Sequence, residues 1–272
     1  MLFRSHIPNP ENKDAMKAIC DATVAAGADL GVIFDTDVDR MSAVLSDGTP
    51  INRDSIIAMI AAILAPDYPG STIITDSVTS DRLTDFLEND LGLKHLCYMR
   101  GYKNVINKCK ELNAEGIVSP LAMETSGHGC LKENYYLDDG AYLAVKLVIA
   151  VAKAKREGKT IDHFIANLCT EYADREVRFP ILTDDFHAYG TSVLETFKKR
   201  ALQSGFELPK SYEGIRIRFS DVCTGWMLLR ASLHDPVMVL NLEGHTPRDL
   251  EIITGIAQSL VEGFDKLDLS AL

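Results

Sequence analysis

The residues best suited to chemistry in this chain fall in three short loops. The first is Gly31-Val32-Ile33-Phe34-Asp35-Thr36-Asp37-Val38-Asp39-Arg40, where three carboxylates alternate just past a short apolar run of buried-strand type. At the carboxyl end of a strand, alternate residues can turn their oxygens toward one hard cation. Magnesium suits such a set, because it takes a few carboxylates and keeps room for water or phosphate oxygens. A lone aspartate here would read as a turn or helix cap; three in alternation, with an arginine behind them, favour metal binding. An EF-hand fits poorly, since Arg40 stands where its glycine belongs and Ser46 where its final glutamate belongs.

The second loop is Met123-Glu124-Thr125-Ser126-Gly127-His128-Gly129. Glu124, Ser126 and His128 offer donors and acceptors suited to a polyol, and the glycines allow the backbone to come close. Equally, Glu124 can be a helix cap and His128 a satisfied interior histidine. The third is Leu228-Leu229-Arg230-Ala231-Ser232-Leu233-His234-Asp235-Pro236. Arg230 can fork onto a phosphate and Ser232 can help cradle it, although an arginine at a strand end is commonly a solvated rim charge. Two further patterns carry less. Ser5-His6 sits at the start of the chain, and Asp138-Asp139-Gly140 reads as the cap of a long helix more readily than as a metal pair.

The elements that must position these loops can be read from periodicity. A helix carrying Ala15, Met16, Ile19, Cys20 and Val24 ends at Gly27, where a C-cap glycine belongs; Leu30–Phe34 and Met41–Leu45 then read as hairpin partners. A helix, a strand and a hairpin partner do not make a domain, so they must pack onto the next part of the chain or complete a preceding part. From residue 50 to 170 helices and strands alternate. Helices are expected at 53–65, 81–90, 102–112, 139–156 and 161–169, and strands at 72–75, 95–99 and 116–123. That alternation predicts a mostly parallel sheet covered on both faces. After residue 170 the pattern changes to an extended segment at 176–180, a helix at 187–203 and three strands in series (215–219, 226–231, 237–242). A last helix is introduced by Thr246-Pro247-Arg248-Asp249, a capping-box pattern. The fold class expected is therefore α/β: a mostly parallel three-layer α/β domain, preceded by a partial α/β domain and followed by a smaller α+β domain.

Composition narrows the partners. The 272 residues carry 28 basic and 39 acidic side chains, a net charge of −11, which argues against coating nucleic acid or anionic lipid but leaves room for a locally positive pocket. Hydrophobic residues at 46% and charged residues at 25% are ordinary globular values, enough for a buried core. The longest apolar run, Ile56 to Ala65, is short of the roughly 20 residues that span a bilayer, and the first residues lack the apolar stretch of a signal peptide. Six scattered cysteines without a Cys-x-x-Cys pair point to reduced, mostly buried thiols and a cytoplasmic location.

The three loops, in this order, resemble those of the α-D-phosphohexomutase family of phosphoglucomutases and phosphomannomutases. The family's magnesium loop Asp-x-Asp-x-Asp-Arg is matched by Asp35, Asp37, Asp39 and Arg40. Its sugar loop Glu-x-Ser-Gly-His is matched by Glu124, Ser126, Gly127 and His128. Its phosphate loop Arg-x-Ser-x-x-Glu-Pro is matched in part by Arg230, Ser232 and Pro236, with Leu233, His234 and Asp235 departing from the usual residues. His6-Ile7-Pro8-Asn9-Pro10-Glu11 also matches a segment of the family's second domain. The resemblance implies that residues 1–45 are the C-terminal part of a metal-binding second domain, 46–170 a sugar-binding α/β third domain, and 171–272 a phosphate-binding α+β fourth domain.

It further implies a magnesium-dependent isomerase that moves a phosphoryl group between the anomeric and terminal hydroxyls of a hexose phosphate through a hexose bisphosphate. Magnesium would be the cofactor, held by Asp35, Asp37 and Asp39. Arg40, His128 and Lys103 would be the catalytic residues, Lys103 sitting in Gly101-Tyr102-Lys103 where relatives often place a basic residue. Glu124, Ser126, Arg230 and Ser232 would bind substrate. The family's phosphoserine loop Thr-x-Ser-His-Asn-Pro does not occur in the chain. The resemblance therefore implies N-terminal domains supplied in the same or another chain, and no turnover by this chain alone. Two competing readings stand beside it. In one, a haloacid-dehalogenase-like phosphatase uses Asp35 as nucleophile, Asp37 as general acid and Asp184-Asp185 as its further acidic pair. In the other, the chain is a non-catalytic sugar-phosphate-binding protein.

Overall fold

The computed structural model of the chain describes residues 7–232 and 235–272, so Ser5, His6, Leu233 and His234 lie outside the described residues. The contacts divide the chain into two units, Met1–Cys169 and Thr170–Leu272.

In the first unit, helix α1 (Lys13–Ala26) is capped by the Asn12 side chain, which accepts the Ala15 N–H, and ends at Gly27 in the left-handed region (φ 59°). β1 (Leu30–Phe34) and β2 (Met41–Leu45) form the expected antiparallel hairpin, and β3 (Pro50–Ile51) pairs with β2. Alternation along these strands divides their side chains between two faces. Ile33 and Val44 pack on Ala15 and Met16 of α1. Val32, Phe34, Met41 and Ala43 join a larger core with α2 (Asp54–Leu64). The opening segment thus packs onto the α/β region that succeeds it in the chain.

α2 is apolar nearly all round, as a helix buried on most sides must be. Then come β4 (Thr72–Thr75), α3 (Asp81–Asp85), which runs on as a π turn over Phe86–Asp90, β5 (Lys94–Cys97), α4 (Tyr102–Ala114), β6 (Leu121–Met123), β7 (Gly129–Leu131) and α5 (Gly140–Arg156). The sheet order is β5-β4-β6-β7, with β4 parallel to both neighbours and β7 antiparallel. Ile73, Leu121, Met123 and Leu131 enter the core shared with α2 and α5, while Ile74, Ala122 and Cys130 face Val105, Ile106 and Cys109 of α4. Both faces are covered, which is why these strands read as continuous apolar runs.

Three expectations need correction. The strand expected over 116–123 forms only at its end. Pro120 has no N–H to give a ladder, and Ser119 bonds through its N–H (3.3 Å) and carbonyl (2.7 Å) to the Asn113 side-chain amide instead. The antiparallel β7 is an addition to the expected strands. The helix expected over 161–169 is a 3-10 turn, Ile161–Ile165, followed by a tight bond from the Leu168 N–H to the Ile165 carbonyl (3.0 Å).

The second unit is an antiparallel sheet in the order β8-β11-β10-β9, formed by β8 (Ala173–Pro180), β9 (Ile215–Phe219), β10 (Gly225–Ala231) and β11 (Val237–Gly244). α6 (Phe186–Gln203) and α7 (Pro247–Val261) pack on one face through Val193, Phe197, Ile253 and Ala257 against Phe179, Ile217, Met227 and Leu240. Thr246 and Asp249 close the expected capping box at the start of α7. The architecture is the one the sequence predicts: a partial α/β segment, a three-layer α/β core and an α+β unit. Among the described residues no helix is long and apolar enough to cross a membrane. The six cysteines are free; Cys109, Cys130 and Cys223 are buried, Cys20 and Cys97 half-buried, and Cys169 exposed.

Ile73 is wholly buried in the central strand. Ile73→Ala is expected to cost about 2–5 kcal/mol in urea unfolding, whereas Val148→Ala, on the exposed side of α5, should cost less than about 0.5 kcal/mol.

Candidate active site

The acidic loop is the connection of the β1–β2 hairpin. Val38 sits in the left-handed region (φ 66°), a costly place for a β-branched residue. Its carbonyl accepts the N–H of Gly140, the first residue of α5, at 3.1 Å. A Cβ at Gly140 would lie 2.9 Å from that carbonyl and 3.0 Å from the Arg40 backbone, so only glycine lets the helix start press against the loop. Asp35 is buried and doubly held by Arg40, which donates its N–H to Oδ1 (3.2 Å) and its Nε–H to Oδ2 (2.7 Å). Arg40 also lies 3.4 Å from Glu11.

The three carboxylates converge. Asp35, Asp37 and Asp39 each place an oxygen within 4.8 Å of the others'. Asp39 Oδ1 is buried and meets no hydrogen-bond donor among the described residues. An all-oxygen donor set with an unmet buried oxygen fits a hard divalent cation. Burial pushes the Asp39 carboxyl above its ordinary range, helped by the Asp35, Asp138 and Asp37 charges and opposed by His128. Burial acts the same way on Asp35, but the Arg40 N–H and guanidinium outweigh it and hold that carboxyl low.

The second loop joins β6 to β7 and folds tightly on itself, the Glu124 N–H bonding to the His128 carbonyl (2.8 Å) and the Gly127 N–H to the Glu124 carbonyl (3.0 Å). Gly127 adopts φ 100°, and a Cβ there would fall 2.7 Å from the Met41 carbonyl. The Met41 N–H donates to the Gly127 carbonyl (3.1 Å), and Arg40 and His128 form an antiparallel bridge. Two loops far apart in the chain are thus laced together by backbone. Glu124 is 4% exposed; its Oε1 accepts the Gly101 N–H at 2.5 Å, and Ser126 Oγ lies 3.5 Å from Oε2. Burial first, and the Asp76 charge second, push Glu124 up to about 7.

His128 shows what sequence reasoning missed. Asp139 caps α5 as expected, accepting the Tyr142 N–H at 2.9 Å, but Asp138 does not. It bonds His128 Nδ1 through Oδ2 (2.8 Å) and accepts the Gly129 N–H on Oδ1 (3.0 Å). Asp39 Oδ2 is 3.6 Å from the same ring nitrogen, and Tyr102 stacks on the ring with centroids 4.9 Å apart. Burial alone would lower the His128 pKa; the Asp138 bond and the Asp138, Asp39 and Glu124 charges reverse it, so the net shift is upward. Asp39, His128 and Asp138 form a second group whose donor atoms converge within 4.8 Å. The sequence signal was the doubled aspartate before Gly140, of which a cap needs one. Lys103 is exposed on the first turn of α4, its Nζ 5.8 Å from the Tyr102 ring centroid.

Arg230 and Ser232 belong to the second unit. Arg230 is the penultimate residue of β10, buried, with Nη1 3.6 Å from Glu213. Ser232 comes just after the strand; its N–H bonds to the Val237 carbonyl (2.9 Å) and its Oγ accepts the Asp235 N–H (3.2 Å).

Gly140→Ala should cost about 1–3 kcal/mol by overpacking the loop junction and weaken divalent-cation binding measured by calorimetry. Glu124, raised when folded, holds its proton better in the native state than in the unfolded one. Its contribution is therefore full below about pH 4.5 and is lost as pH rises to about 7. Glu124→Gln should flatten the stability profile across that window and leave the protein more stable at pH 8, by on the order of 3 kcal/mol in chemical unfolding.

Comparison with known proteins places this geometry in a family. The model for phosphoglucomutase/phosphomannomutase alpha/beta/alpha domain III matches residues 52–172, and that for domain II matches residues 1–48. A phosphomannomutase/phosphoglucomutase of Pseudomonas aeruginosa is 29% identical over 264 residues, which is 97% of this chain and 53% of that protein. A phosphoglucomutase of Neisseria gonorrhoeae is 26% identical over 261 residues, 96% of this chain and 53% of its own length. The crystal structure of a phosphoglucomutase/phosphomannomutase family protein from Burkholderia thailandensis shares the fold, with a TM-score of 0.79 at 24% identity over 96% of this chain and 52% of that one. The chain spans about half the length of the curated relatives it matches. With two consecutive family domains matched, and the acidic and Glu-x-Ser-Gly-His loops laced together within them, the chain belongs to the phosphoglucomutase/phosphomannomutase family.

Proposed function

We propose that this chain supplies the metal-, sugar- and phosphate-binding half of a phosphohexomutase. The reaction is reversible phosphoryl transfer between the anomeric and terminal hydroxyls of a hexose phosphate by way of a hexose bisphosphate. The observation that carries the reading is the convergence of Asp35, Asp37 and Asp39 on a loop that is backbone-bonded to the Glu124–His128 loop. Domains at 1–45, 46–170 and 171–272 would divide the work, with the phosphoserine contributed by a segment outside this sequence. A cytoplasmic setting accords with the free thiols.

Asp35, Asp37 and Asp39 would hold magnesium, which when bound supplies positive charge beside a transferring phosphoryl group. Arg40, fixed by Asp35, adds a permanent cation next to it. Glu124 and Ser126 bond sugar hydroxyls. His128, oriented by Asp138, offers Nε2 for proton transfer, since Nδ1 is engaged. Lys103 would add positive charge from the first turn of α4. Arg230 and Ser232 would bind the phosphate that is not being transferred.

The phosphatase reading is less well supported: Asp185, of its further acidic pair, is engaged as the cap of α6, accepting the Ala188 N–H at 3.3 Å, and that reading gives no part to the Glu124–His128 loop laced to the acidic loop.

Titration calorimetry of the 272-residue chain with magnesium and hexose phosphates tests the proposal. Binding of both is expected. Glu124→Ala and Arg230→Ala should each weaken sugar-phosphate binding at least tenfold while magnesium binding persists. Unchanged sugar-phosphate affinity in both variants overturns it. No mutase turnover is expected from this chain by itself.

A further inference from the structure

Asp76 has no role in the proposed phosphoryl transfer, yet it is a fully buried carboxyl beside the candidate sugar loop. It comes directly after the last residue of β4, just as Glu124 comes directly after the last residue of β6, and those last residues, Thr75 and Met123, are register partners in parallel strands. Two carboxyls therefore leave neighbouring strands, roughly 4.8 Å apart, at the same level of the sheet. Asp76 Oδ2 accepts the Thr125 hydroxyl at 2.8 Å. Its Oδ1 is buried and meets no donor among the described residues.

On Glu124, the Gly101 N–H occupies Oε1, while Oε2 has only the long Ser126 contact at 3.5 Å among the described residues and keeps room to accept another hydrogen. A buried carboxylate oxygen without a donor is costly, and two neighbouring carboxylates cannot both ionise cheaply.

The charged groups facing the pair come from several elements. Arg53, at the entry to α2, and Arg100, in the loop before α4, act on Asp76; Arg100 and His128 act on Glu124. Asp54, on the first turn of α2, is engaged by the Ser80 N–H (3.4 Å) and by Arg82 (4.0 Å). These cations do not overcome burial, which raises both carboxyls.

We infer that Asp76 is a positioning residue for the sugar loop, tethering it through Thr125 and sharing a single proton with Glu124, so that Glu124 meets a hydroxyl-bearing ligand as a hydrogen-bond donor as well as an acceptor. The inference rests on the reading of Glu124 as the carbohydrate ligand. A hydroxyl both gives and takes a hydrogen bond, and a fully ionised pair could only take. The proton leaves to solvent when the pair ionises, and the two steps belong to the pair rather than to either residue.

The test is a pH titration of carbon-13-labelled glutamate and aspartate side chains by NMR, on the 272-residue chain without sugar. The expected result is a Glu124 carboxyl midpoint near pH 7 in the wild type. In Asp76→Asn, which keeps the shape and the Thr125 contact, that midpoint should fall by about one unit. A structural tether alone would shift loop amide resonances without moving the midpoint. A wild-type Glu124 midpoint in the ordinary carboxylate range overturns the inference, and so does a midpoint unmoved by Asp76→Asn. If Asp76→Asn does not fold, the wild-type Asp76 carboxyl resonance is read instead: it is expected to respond at the Glu124 midpoint, and an Asp76 resonance unaffected by that step overturns the inference. Because no sugar is present, failure of this inference is distinct from failure of hexose-phosphate binding.

Discussion

The Met41 N–H bonded to the Gly127 carbonyl, with Gly127 pressed against the Met41 backbone, is the contact on which the arrangement of the candidate site depends. It joins the start of β2 to the turn between β6 and β7, so the acidic loop and the Glu124–His128 loop share one backbone frame. Gly140 adds a second point of contact, its N–H on the Val38 carbonyl. Neither contact tolerates a Cβ. The frame is made of main chain, which has few ways to relax, so the side chains it carries are held in place before any ligand arrives.

On that frame negative charge is concentrated and unevenly neutralised. Asp35, Asp37, Asp39, Asp138, Glu124 and Asp76 crowd the carboxyl ends of β1, β4 and β6 and the entry to α5. Arg40 answers Asp35, and His128 answers Asp138 and Asp39. Among the described residues, one oxygen of Asp39 and one of Asp76 are buried without a hydrogen-bond donor. The first lies among converging carboxylates, where a cation would satisfy it. The second lies beside another carboxyl, where a proton would. Burial makes both expensive to leave unmet, and a stable fold tolerates that cost chiefly where a ligand or a proton relieves it.

The second unit handles charge differently. Its sheet turns Phe179, Ile217, Met227 and Leu240 toward the helices, and alternation sends Arg216, Trp226, Arg230, Asn241 and Glu243 to the opposite face. The Arg216 guanidinium stacks 3.9 Å from the Trp226 ring centroid, and Asn241 bonds Glu176 at 3.1 Å. Arg230 sits in this polar layer, near the end of β10.

Much of this was legible in the chain itself. The α/β alternation, the Leu30–Phe34 and Met41–Leu45 hairpin, the Gly27 cap and the Thr246–Asp249 box arise from local periodicity and capping chemistry, which short stretches of sequence carry within themselves. The spacing of Asp35, Asp37 and Asp39 likewise announced convergence, because alternation is a local property. The remaining features depend on residues distant in sequence. Asp138 turned out to be the partner of His128 while Asp139 alone caps α5, and Asp76 turned out to neighbour Glu124 through the pairing of β4 with β6. Pro120 and the Asn113 side chain cut short a strand that its apolar residues had suggested. Hydrogen-bond partners and burial are set by which elements meet, and no local pattern encodes that meeting.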